Sequence, residues 1–153
     1  MRPVKAAVLS SGSAGNCVWV EADGHVVLID CGLSVPELGR RLAPLRESGT
    51  LIIGSGFTTH GLPYLDAPSP NAVPPQWSVE FDHWSRERFD AGDVDGLLDF
   101  AHRAPGMPYA HPRTEHFAPL FVTLGAATAA DAVPAQPIDG FWMGLAKRSI
   151  VVS

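Results

Sequence analysis

Cysteine is nearly absent from this 153-residue chain: only Cys17 and Cys31 occur, and no zinc-type pair spacing accompanies them. The two read as reduced, buried thiols of a cytoplasmic protein and not as a disulfide framework. Charge is sparse as well. Charged residues make up 18% of the chain, the formal net charge is −5, and the Lys and Arg are scattered apart from Arg40-Arg41 and Lys147-Arg148. Such a distribution offers no phosphate-tracking patch, so nucleic acid is not an expected partner. No apolar run reaches the length of a membrane-spanning helix, so no membrane partner is expected. The start, Met1–Leu9, meets Ser, Gly and Asn too soon for a signal peptide. The small-residue stretch Ser10–Asn16 lacks the Lys-Ser/Thr of a P-loop, which leaves it as a connecting turn.

What the chain does have is apolar content, 46%, enough for one domain with a real core. It also has many breakers. The chain has fifteen glycines and fourteen prolines, and half of the prolines fall in Leu62–Pro75 and Ala132–Gly140, which read as long loops without regular structure. Between the breakers the pattern alternates between strand and helix. Val4–Leu9, Cys17–Glu21 and His25–Asp30 read as strands, with Asp23-Gly24 as the turn of an N-terminal β-hairpin. Leu51–Gly54 is a short buried strand by composition, and helices are expected near 38–47, 77–89, 93–103 and 114–126. Gly140–Val152 closes the chain in a strand. The expected fold is α/β: a small mixed or mostly parallel sheet with Leu51–Gly54 central, flanked by helices, with the hairpin added to it or packed separately.

Chemistry concentrates in residues 111–125, where two histidines and a glutamate stand before an apolar run. Phe117, Leu120, Phe121 and Leu124 recur at i, i+3, i+4 and i+7, the spacing of one buried helical face. Pro112 suits the first turn of such a helix, Pro119 would kink it, and Gly125 would end it in a left-handed conformation. His111 then falls at the helix start, held by the scaffold and free to face a cleft. His60 ends a second small-residue loop, Ser55–Gly61, at the end of a strand, where open α/β sheets place ligands. Trp77, Phe81, Trp84 and Arg88 follow a helical period and read as core. Leu97, Leu98 and Phe100 point inward from the next helix, with Asp90 or Asp93 as its cap. His25, His83 and His102 lack ligand-spaced partners and read as surface or packing residues. Lys147-Arg148 could steer an anion, though a solvated pair is the commoner explanation.

Two stretches carry resemblances. Ser-Gly-Ser-Ala-Gly-Asn-Cys and Leu-Ile-Asp-Cys-Gly-Leu-Ser, within residues 4–35, resemble the opening of a metallo-β-lactamase-fold hydrolase; that family's His-x-His-x-Asp-His motif occurs nowhere in the chain. Residues 38–152 resemble the class III extradiol ring-cleavage dioxygenases of the DOPA 4,5-dioxygenase type. The matching blocks are Leu-Ala-Pro-Leu-Arg-Glu-Ser-Gly-Thr-Leu-Ile-Ile-Gly-Ser-Gly-Phe-Thr-Thr-His, Phe-Asp-His-Trp, His-Pro-Arg-Thr-Glu-His-Phe-Ala-Pro-Leu and Gly-Leu-Ala-Lys-Arg-Ser, in that order. The chain accordingly divides into 1–36 and 37–153.

The second resemblance implies oxidative opening of a catecholic ring by O₂ at a non-haem Fe(II), with Zn(II) as the alternative metal. Such a centre uses few protein ligands and keeps positions open for substrate and O₂. On matching positions it implies His60 as the acid/base histidine, with metal contact also open to it, and His111 as a metal ligand. His116 and Glu115 are further ligand candidates or partners that orient a ligand. The family's remaining metal-ligating histidines come from an N-terminal half that this chain replaces with the hairpin. The expectation is therefore a dioxygenase-family chain that is incomplete by itself. An inactive chimeric remnant is the alternative, and a metallo-β-lactamase-like hydrolase comes last.

Overall fold

The structure, a computed structural model, describes residues 4–10, 17–22, 24–31, 51–67, 69–125 and 133–152. The helix expected near 38–47 and most of the Ser10–Asn16 turn lie outside the described residues. Tertiary contacts gather the chain into two units, one formed from Met1–Gly56 with Ala118–Ala130 and one from Phe57–Phe117 with Asp131–Ser153. The secondary structure is α/β in kind, with short sheets and helices.

In the first unit, β1 (Lys5–Ser10), β2 (Cys17–Ala22), β3 (His25–Cys31) and β4 (Leu51–Ile53) form a sheet in the order β1-β2-β3-β4. β1–β2 and β2–β3 are antiparallel, with Ala22 opposite His25, and Gly24 between β2 and β3 takes a φ of 82° that suits a tight turn. Only β3–β4 is parallel, Leu28 facing Ile52. The sheet is mixed, but its pairings are mostly antiparallel, and β4 ends the row of described strands where the composition suggested a central position. Three apolar residues in a row are compatible with either place, so composition could not fix the order.

The helix expected over 114–126 is two elements. Thr114–His116 make a single 3₁₀ turn, and α4 starts only at Ala118, running to Gly125. A continuous helix would drive the Pro119 ring into the carbonyl of residue 115. Restarting at Ala118 puts Pro119 in the first turn, where no N–H is needed. Pro112 accordingly lies ahead of both elements. Val122 is the buried residue of α4, while Leu120, Phe121 and Leu124 are half-buried. Gly125 closes α4 without a left-handed φ. Gly54, beside α4, has no room for a Cβ, which would run into the Pro119 carbonyl and the Thr123 side chain.

The second unit is built on α1 (Gln76–Ala91), expected from the aromatic period and two residues longer at its C-terminus. Gly92 ends it with φ 62°, its N–H returning to the Arg88 and Phe89 carbonyls. The buried face of α1 is Ser78, Phe81, Asp82, Ser85 and Phe89, a helical stripe with polar members; Trp77 and Trp84 are half-buried. The expected helix 93–103 breaks into α2 (Val94–Leu98) and α3 (Phe100–Arg103) at Asp99. Asp93 caps α2, its Oδ1 accepting from the Gly96 N–H at 2.8 Å. Leu97 and Phe100 are buried as expected, but Leu98 is exposed because the break rotates it outward. His83 and His102 are exposed beside Glu87 and Asp99.

The proline-rich stretch near the end also gains structure. β5 (Ala135–Ile138) pairs antiparallel with β8 (Ser149–Val151), and the pairing is irregular between Ala135 and Ile138, where Pro137 has no N–H to give. Between them β6 (Phe141–Trp142) and β7 (Leu145–Ala146) form a tight antiparallel pair, so the expected single closing strand is three short ones. Among its described residues, Leu62–Pro75 holds one 3₁₀ turn, Leu62–Tyr64, and no other helix or strand.

Candidate functional site

The site grows out of the segment Phe57–His60, which follows β4 in sequence. The Thr58 N–H donates to the Ala146 carbonyl of β7 at 3.1 Å, and the Thr58 hydroxyl donates to the Arg148 carbonyl at 3.3 Å. Thr59 is fully buried: its Oγ1 accepts from the Ala146 N–H at 2.8 Å and lies 2.9 Å from Ser78 Oγ on α1. The Thr59 hydroxyl is thus tied both to the backbone of β7 and to the Ser78 hydroxyl on α1. At the next residue, the His60 N–H donates to the Ala110 carbonyl at 2.7 Å. Gly61 must be glycine, because a Cβ there would meet the Tyr109 carbonyl and the Trp77 ring. His60 is therefore presented from a backbone anchored on both sides.

His111 is at the centre of the core and not in a cleft. It is 2% exposed and boxed by aromatic rings, with centroids of Phe117, Phe81 and Phe100 at 4.9, 5.0 and 5.8 Å. The expectation of an open position followed from placing it on a helix start. With the helix beginning at Ala118, His111 belongs to the turn that fills the α1 face. Its Nε2 is 2.7 Å from the Thr58 carbonyl, and since a carbonyl only accepts, Nε2 carries the proton. Burial is the main cause that pushes the His111 pKa down from 6.5 to about 4, with the neighbouring His60 and His116 adding to the fall against the Thr58 hydrogen bond. The ring is neutral at pH 7, so Nδ1 holds a lone pair. That atom is buried without a hydrogen-bond partner among the described residues.

His60 and His116 stack face to face with ring centroids 3.7 Å apart and planes 18° from parallel. His60 is half-buried and His116 exposed, its Nε2 3.9 Å from Glu115 Oε1. Burial lowers the His60 pKa first and the His116 charge lowers it further, while its own backbone hydrogen bond and Glu115 oppose them. A positive charge on one ring of the stack opposes a charge on the other, which is the sense in which His116 lowers the His60 pKa.

The structure thus brings His60, His116 and Glu115 together, with His111 close enough to feel their charges. A different group was not visible in the sequence. Arg148, read as half of a solvated pair, is buried in a two-pronged ion pair with Asp82 of α1: Nη2 to Oδ2 at 2.8 Å and Nε to Oδ1 at 3.0 Å. Its Nη1 donates to Gln136 Oε1 of β5 at 3.0 Å. Asp82 lies in the Phe-Asp-His-Trp block and Arg148 in the Gly-Leu-Ala-Lys-Arg-Ser block of the dioxygenase resemblance, but nothing in either block pairs the two. A cavity of about 360 Å³ lined by Tyr64, Asp66, Val73, Pro75 and Met143 among others includes none of the three histidines.

A metal centre was tested against these atoms. Among the described residues no group of three or more His, Cys, Asp or Glu side chains converges on one point. His111 alone has the form of a ligand, one ring nitrogen fixed by a carbonyl and the other free. The described residues do not by themselves complete a coordination sphere.

The family model described as the catalytic LigB subunit of aromatic ring-opening dioxygenase matches residues 31–137. A 4,5-DOPA dioxygenase extradiol of Mirabilis jalapa is 42% identical over 97 residues, 63% of this chain and 35% of that one. The Beta vulgaris protein of the same name is 39% identical over 111 residues, 71% of this chain and 39% of that one. The crystal structure of an uncharacterized Escherichia coli K12 protein superposes with a TM-score of 0.62 at 27% identity, covering 76% of this chain and 48% of that one. The chain spans less than half the length of each of these relatives. It belongs to the LigB family of extradiol aromatic ring-opening dioxygenases.

Proposed function

We propose that the chain supplies proton-transfer and ligand histidines to a non-haem extradiol site that opens a catecholic ring with O₂. The observation that carries this reading is His111: a neutral imidazole with Nε2–H fixed on the Thr58 carbonyl and an unpartnered Nδ1 lone pair. A lone pair buried among aromatic rings with nothing to accept is costly unless something occupies it. A divalent metal is such an occupant, and Fe(II) is assigned over Zn(II) because O₂ chemistry needs a redox-active ion. When bound, the metal supplies a common centre for catecholate and O₂.

The remaining roles belong to this chain's own groups. His60, whose pKa is lowered by burial and by His116, accepts a proton from a catechol hydroxyl. Glu115, beside His116, offsets a positive charge on the pair. His116 is a second candidate ligand. The N-terminal strands are assigned as a hairpin unit of separate resemblance joined to this dioxygenase portion.

Calorimetry of Fe(II) binding to the anaerobic chain tests the reading. Saturable one-to-one binding that is lost in His111→Ala and kept in His60→Ala is expected. Failure of a demonstrably folded chain to bind would remove His111 from the ligand role.

A further inference from the structure

We infer that Arg148, clamped by Asp82, is a positioning residue that fixes the ring orientation and tautomer of His111 through Thr58. The relay is continuous. The Arg148 guanidinium is held two-pronged by Asp82 on α1 and by Gln136 on β5, so the backbone at 148 is tied to two elements. The Arg148 carbonyl accepts from the Thr58 hydroxyl, and Thr58 N–H is held by Ala146 two residues earlier. These two bonds lay Thr58 along the 146–148 segment, and its carbonyl then faces His111 Nε2 at 2.7 Å. Among the described residues, the imidazole boxed by Phe81, Phe100 and Phe117 has the Thr58 carbonyl as its hydrogen-bond partner at Nε2 and none at Nδ1. The Thr58 carbonyl therefore decides which nitrogen keeps the proton. If that carbonyl swings away, the ring loses its reason to prefer Nε2–H, and Nδ1 ceases to be a dependable lone pair.

Burying an Arg–Asp pair gains little stability over a hydrophobic pair of like volume, so its presence calls for a reason other than stability. Orientation is that reason here: a planar fork fixed at both ends holds a backbone carbonyl more narrowly than a flexible ammonium can. The inference rests on the proposed ligand role of His111 for its purpose, but its geometry is independent of any metal.

Long-range ¹H–¹⁵N correlation spectra of the histidine-labelled, metal-free chain at pH 7 test it by reading which ring nitrogen is protonated. The wild type should show His111 with Nε2 protonated and Nδ1 bare. Thr58→Val, which removes only the hydroxyl, and Arg148→Lys, which keeps the charge but loses the fork, should both mix in the Nδ1–H tautomer. Thr58→Ser should restore the wild-type pattern. Asp93→Ala, a lost helix cap away from the relay, should lower Tm and leave the His111 signals unchanged. Fe(II) affinity should fall about tenfold in Thr58→Val, in line with other outer-sphere changes. If Thr58→Val or Arg148→Lys lowers Tm and leaves the tautomer pure, the relay is merely structural and the inference falls. A tautomer that responds as expected in a chain that binds no Fe(II) would keep the relay and overturn only the ligand role.

Discussion

Two histidine environments in one unit show how the same side chain is put to opposite uses. His111 is enclosed by phenylalanines, pinned at one nitrogen and 2% exposed; His60 is half-buried and stacked on the exposed His116, which lies beside Glu115. Enclosure produces a ring of fixed tautomer that stays neutral, and partial exposure leaves the His60 ring open to its charged neighbours. A site needing both a fixed donor and a mobile proton can obtain them from one residue type by varying only its surroundings.

The sharpest way to break the contrast is to open the box. Phe81 is fully buried against His111, Phe100 and Phe117, and Phe81→Ala should cost about 3–5 kcal/mol in denaturant unfolding. It should also raise the His111 pKa as water enters. An unchanged pKa would mean that the rings are not what keeps His111 neutral.

A smaller effect comes from acid. The His111 pKa is about 4 folded against 6.5 in the free side chain, so between those values the unfolded chain binds the extra proton. Its contribution to stability is intact above pH 6.5 and lost as pH falls toward 4, by about 3 kcal/mol at the lower limit. His111→Gln, measured from pH 7 to pH 4, should flatten that part of the profile. A slope unchanged by the substitution would assign the acid sensitivity to other groups.

The smallest effect is expected at the stacked pair. His116 is exposed, and His116→Ala should change stability by less than about 0.5 kcal/mol. What it should change is His60, whose pKa is held down partly by the His116 charge and should rise when that ring is removed. An NMR titration following His60 reads this directly, and a fall would mean that the stack stabilises protonated His60.

How far the sequence anticipated this site differs residue by residue. Helix α1 was legible because Phe81 sits in a strong aromatic period, and the period reports which way a long helix faces. The same rule failed over 117–124. There the apolar spacing is real, but it says nothing of the Pro119 ring, and the chain passes at Ala118 from one unit to the other. His60 and His111 stood out through the blocks of residues around them, which carried the dioxygenase resemblance later met by the family match over residues 31–137. Burial of His111 was not legible, since a histidine before a proline reads as a turn residue until the rings that surround it are placed.

The sequence by itself determined the α/β composition, the main helix and the family to which the chain belongs, because periodicity and ordered motif blocks are local properties of the chain. Only the tertiary structure decided that Arg148 meets Asp82, that Thr58 offers its carbonyl to His111, and that His60 lies on His116. Those pairs are 66, 53 and 56 positions apart. Contacts of that separation depend on how elements pack, and packing also decides which ring nitrogen keeps its proton.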